Sequence, residues 1–156
     1  MKQLVFLIVG CVYNIVLPAQ SGFVIYPGTQ FVKSGSPVLV LQNMNFVNNG
    51  TYSAGSGTVK LTGSNATYIN GNNTTNFYNL HAGSSASLTL GQNINVQNEL
   101  QMAGMLQVQD YEVKMQPNAM IVGESETARL HANAGNTGRA TTTLDINSPA
   151  INLNPA

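Results

Sequence analysis

Charge is what this sequence has least of. Asp, Glu, Lys and Arg make up 8% of its 156 residues, and the formal net charge is zero; an ordinary soluble domain carries about a quarter charged residues. Without a basic patch or stripe there is nothing to neutralise a phosphate backbone, so nucleic acid is excluded as a partner. Tryptophan is absent and aromatics are 7% of the chain. The single cysteine, Cys11, lies in the N-terminal apolar segment. Beyond that segment no disulfide can form, and stability must come from packing and backbone hydrogen bonds. Long apolar runs are missing too, apart from Leu4 to Leu17. That run is interrupted by Asn14 and followed by Pro18, and it falls short of the roughly 20 residues a spanning helix needs.

The same run, preceded by Lys2 and closed by the small residue Ala19, has the plan of a secretory signal peptide over residues 1–19. Cleavage is expected between Ala19 and Gln20, releasing residues 20–156 without a transmembrane anchor. "IVGC" ending at Cys11 has the look of a lipoprotein site, but cutting there would leave a very short apolar core and a greasy new start. The export machinery is therefore an expected partner.

What the chain has in abundance is asparagine (20 residues), with 15 glycines and many Ser and Thr. Disorder does not follow, because 43% of residues are hydrophobic and they recur at regular spacing. Val59 and Leu61 flank Lys60, Leu88 and Leu90 flank Thr89, Ile94 and Val96 flank Asn95, and Val113 and Met115 flank Lys114. Spacing of two puts both apolar side chains on one face of a strand. No helical stripe occurs after residue 22, and the chain is expected to be all-β.

A self-match refines the architecture. Residues 45–63 lie over 98–116 at a shift of 53 to 54, pairing Phe46 with Leu100, Gly50 with Gly104, Tyr52 with Leu106 and Val59 with Val113. "LHA" occurs twice, at 80–82 and 130–132. Short strands inside a long repeat predict stacked coils, a parallel β-helix-like β-solenoid of about five or six coils at roughly 20 to 30 residues each. Glycine and asparagine would turn the corners, and asparagine amides would bond in ladders. A β-sandwich is the alternative, with short alternating strands but no reason for a second half that copies the first.

Candidate chemistry is sparse. His81 and His131 share the "LHA" context; stacked two coils apart, at roughly 4.8 Å per coil, they would stand about 10 Å from each other, too far to share a metal. The pairs Asp110/Glu112 and Glu124/Glu126 would each put two carboxylates on one strand face, where calcium is conceivable and solvated acids are the plainer reading. No G-x-S-x-G and no metal-ligand spacing occurs, and acids and bases are scattered. No catalytic residue, metal or cofactor is assigned, and an enzyme, including a polysaccharide-degrading β-helix, is the least favoured class. The threonines, among them Thr74, Thr75 and Thr141 to Thr143, fall too irregularly for an ice-ordering array. N-x-S/T triplets at Asn49, Asn65 and Asn73 are expected by chance in this composition. Tyr52, Tyr68 and Tyr78 are the candidate ligand-stacking residues, for sugars, if they lie on outer faces.

The series "IYPGTQFVKSGSPVLVLQNMNFVNNGTY", "GTVKLTGSNATYING", "NFYNL" and "INVQNELQMAGMLQV" resembles a recurring module of large secreted surface proteins of Bacteroidetes, over residues 23 to 156. The resemblance implies a β-helical extracellular segment, in chains that usually end in a type IX secretion sorting domain. This sequence stops at "INLNPA" without one, so a chain truncated at its C-terminus is expected. The expected function is then an exported, non-catalytic structural or adhesin-like segment at the cell surface, or in the periplasm if the chain is complete. Surface glycans or other envelope components are its expected partners, with a carbohydrate-binding β-domain as the alternative.

Overall fold

The computed structural model describes residues 22–84, 87–133 and 135–142. The signal segment with Cys11, Ala19 and Gln20, the C-terminal stretch and Thr143 lie outside the described residues.

The chain climbs as a β-solenoid of about five turns, with no helix among the described residues. The first rung carries β1 (Gly22–Ile25), β2 (Gln30–Val32) and β3 (Val38–Gln42), and the second β4 (Asn45–Asn48), β5 (Thr51–Ser53) and β6 (Thr58–Gly63). In the third, β7 (Thr67–Asn70) is followed by a long β8 (Thr75–Ser84). The fourth repeats that plan with β9 (Leu88–Leu90) and β10 (Ile94–Met102). The fifth holds β11 (Leu106–Gln107), β12 (Glu112–Met115) and β13 (Met120–Val122), and the last β14 (Leu130–His131) and β15 (Arg139–Thr142). One sheet runs β1-β4-β7-β9-β11-β14 and a second β3-β6-β8-β10-β12-β15, with β13 beside β10 and the short β2-β5 pair at a corner. Every pairing is parallel. The sandwich alternative is thereby replaced.

Parallel register turns the spacing-two pattern into columns. Phe23, Phe46, Ile69 and Leu90 line one column of the first sheet. Leu39, Val59, Leu80, Leu100 and Ile121 line one in the second, and Thr75, Ile94, Val113 and Ala140 another. Phe46, Leu61, Phe77, Ile94, Leu100 and Leu106 are wholly buried. Each such side chain removes apolar surface from water, at about 1.5–3 kcal/mol for a full side chain.

The 54-residue self-match is not a structural period. Val59 and Val113 both point inward but stand in different columns of the second sheet. Phe46 lies in the first sheet and its match Leu100 in the second. Rung length varies from 18 residues (Leu88 to Leu106) to 27 (Glu112 to Arg139). With inward pairs at spacing two in nearly every strand, any shift that lays strand over strand produces a match.

Corners explain the composition. Asn43 adopts φ 55°, and its Oδ1 accepts from the backbone N–H of Ser64 and Asn65 one rung up. Asn45, Asn49 and Asn93 do the same for Tyr68, Asn72 and Glu112. These short amides replace ladder bonds lost where the chain bends. On the second sheet Asn95 donates to Asn76 (2.6 Å) and Asn98 to Asn79 (2.7 Å), the expected ladders of like side chains. Gly50 is required for closeness: a Cβ there would stand 2.4 Å from Tyr26 O and 2.5 Å from Thr29 O.

Candidate functional site

The three candidate tyrosines do not form a surface. Tyr52 is buried, 6% exposed, stacked on Phe31 with ring centroids 6.1 Å apart and edge-on to Phe46 at 5.3 Å. An outward, sugar-stacking role for Tyr52 is therefore corrected to a core role: in β5 the inward register falls on Tyr52, between exposed Thr51 and half-buried Ser53. Tyr78 is half-buried and packed on the core. Only Tyr68 presents a ring to solvent, 41% exposed. It borders a shallow depression of about 350 Å³ with Asn45, Val47 and Asn70 on the first sheet.

The histidines are on different faces, His81 in the second sheet and His131 in the first. The shared "LHA" fell on two different sheets because rung length is not constant. His81 sits between Lys60 and Gln101 in its column. Burial and the Lys60 charge lower its pKa below the usual imidazole value, against the raising effects of a Gln101 hydrogen bond and Glu99.

The acidic pairs also separate. Asp110 is in a turn and accepts from the backbone N–H of Thr137. Glu112 opens β12, lies 3.9 Å from Arg139 Nε and accepts from Thr141 Oγ1. Glu124 and Glu126 fall in an exposed loop rather than a strand. Among the described residues no three His, Cys, Asp or Glu side chains gather as metal ligands. No helix there is long and apolar enough to cross a membrane.

Sequence reasoning missed a polar knot at the corner joining the two sheets. Asn48 Nδ2 and Gln92 Nε2 both reach Thr75 Oγ1, at 3.0 and 2.8 Å. All three residues are buried, while Asn48 Oδ1 and Gln92 Oε1 have no hydrogen-bond partner. An unpaired buried acceptor costs roughly 1–3 kcal/mol. Gln92 also borders an open cleft of about 400 Å³, walled by Asn70, Thr74, Asn93 and Tyr111 with Gly91 beside them. Asn70, Asn93 and Tyr111 belong to three successive rungs, so local sequence gave no sign of their meeting.

No family model, curated protein or solved structure matches the chain.

Proposed function

We propose that this chain is an exported, non-catalytic structural or adhesin-like segment of a cell surface, of the kind secreted by Bacteroidetes through type IX export. The observation that supports it most is the pairing of a rigid, stacked β-solenoid with an exterior dressed in neutral amides rather than clustered charge. A solenoid sets its lateral faces at a fixed spacing, which suits a spacer or a contact surface. A second reading, a carbohydrate-binding β-domain, draws support from exposed Tyr68, whose ring offers an apolar face beside the Asn45 and Asn70 amides. Protease treatment of intact cells, followed by detection of this chain in each cell fraction, tests the first reading. Loss of the chain from the outer fraction supports it. A chain that survives in the cytoplasmic fraction with its N-terminal 19 residues still attached would overturn it.

A further inference from the structure

We propose that the corner cleft between Gln92 and Tyr111 is a binding site for a neutral saccharide. The proposal rests on the surface reading above and adds a site, a ligand class and a geometry to it.

The cleft spans three rungs and is open to solvent, with space of about 400 Å³. Among the described residues no carboxylate, ammonium or guanidinium lines it, so none of them selects an ion. Its polar groups are side-chain amides and the Thr74 and Tyr111 hydroxyls, and two of the amides are held in set orientations. Asn70 Oδ1 accepts from the Gly71 N–H and Asn93 Oδ1 from the Glu112 N–H, both at 2.9 Å. An oxygen must face each backbone donor, which fixes both amides and leaves each Nδ2 as a donor for a ligand. Gln92 is 5% exposed; its Nε2 is committed to Thr75, and its Oε1 has no partner. Gln92 Oε1 is itself sealed from the cleft, and the two amide donors with the Thr74 hydroxyl, donor and acceptor alike, match the mixed character of sugar hydroxyls.

Tyr111 completes the site. Its ring is 36% exposed and forms one wall, and the C–H face of a sugar packs on such a ring while the phenol stays wet. Gly91 keeps the cleft open: a Cβ there would stand 2.6 Å from Asn70 Oδ1. Any larger residue would push that amide out of place.

Titration calorimetry of the full chain, expressed with its own export segment, against gluco-, manno-, xylo- and galacto-oligosaccharides and the acidic oligogalacturonate tests the site. Saturable binding to one neutral series is expected. Tyr111→Ala and Asn93→Asp should each weaken it about tenfold or more, the scale of one lost contact. Asn93→Asp keeps the oxygen that Glu112 N–H needs, so folding is preserved, and Tyr111→Ala alters an exposed ring. Val40→Asp, outward on β3 and away from both depressions, should leave binding unchanged. Absence of binding to every neutral series, binding confined to oligogalacturonate, or binding indifferent to both cleft variants would each overturn the proposal. Cell fractionation is independent of this result, so a failed site and a failed surface reading are told apart.

Discussion

Tyr52 packs against Phe77 with ring centroids 5.8 Å apart, and its hydroxyl is sealed in the core without a hydrogen-bond partner. Burial pushes the phenol pKa up to about 12. The ring belongs to a cluster with Phe31, Phe46 and Phe77 that bridges the two sheets and the corner strands. Here the hydroxyl is a cost and the ring a gain. Tyr52→Phe should therefore raise stability by about 1 kcal/mol, the lower end of the penalty for a buried unsatisfied group. Tyr52→Ala should lower it by roughly 3–5 kcal/mol, as for other large buried aromatics. Urea unfolding of the two variants measures both; a Phe variant less stable than the parent would mean that the hydroxyl has a partner.

Gly50 tests how tightly the rungs are nested. A Cβ would meet two backbone oxygens inside 2.6 Å and Ile25 Cγ2 at 2.8 Å. Backbone atoms cannot swing aside as a flexible side chain does. Gly50→Ala is expected to destabilise by roughly 1–3 kcal/mol, the usual scale for overpacking. Gly28→Ala is a control for the φ contribution alone, since Gly28 has φ +76° and nothing within 4 Å of a Cβ. Thermal melts of the pair should show Gly50→Ala as the lower.

The two faces of the second sheet should respond oppositely to charge. Val59 is 1% exposed and Val40, outward on β3, is 55% exposed. Val59→Asp buries an unpaired carboxylate and should abolish cooperative unfolding, whereas Val40→Asp should change stability by less than about 0.5 kcal/mol. Circular dichroism melts decide it, and equal tolerance at both positions would refute the inward column. The first rung also exposes Val24, Tyr26, Val32 and Val38. Among the described residues, strands β1, β2 and β3 each have a neighbour on one side only. An uncharged edge of this kind favours self-association, so Val40→Asp should in addition lower aggregation on concentration.

His81 gives stability a dependence on pH. Its folded-state pKa lies below the unfolded value, so the unfolded chain takes up the proton first. The stability it contributes is complete above the unfolded imidazole pKa, about 6.5. It is lost as pH falls from there through the folded pKa. The melting temperature should fall between pH 7.5 and 5, and fall less in His81→Gln. Lys60→Gln removes the like charge facing His81 from the rung below and should likewise flatten the profile. Parallel curves for parent and both variants would show that carboxylates alone set the slope.

Much was legible before the chain was folded. Alternation at Val59/Leu61, Ile94/Val96 and Val113/Met115 fixed the strands and their inward faces, because a side-chain period of two leaves no choice of face once one face is buried. Short strands inside a 54-residue self-match pointed to stacked coils; the coils are there, but that match is not their period, and Asn43, Asn76 and Asn79 hold the corner and ladder positions expected of asparagine. Which rung lies over which was decided only in three dimensions. Coil length varies, so sequence offset does not convert into height along the solenoid: Val59 and Val113 fall in separate columns, and His81 and His131 on separate sheets. The Tyr52 ring faces inward, and Asn70, Gln92 and Tyr111 meet at one cleft. Those facts depend on contacts between residues about twenty positions apart, which no local spacing encodes.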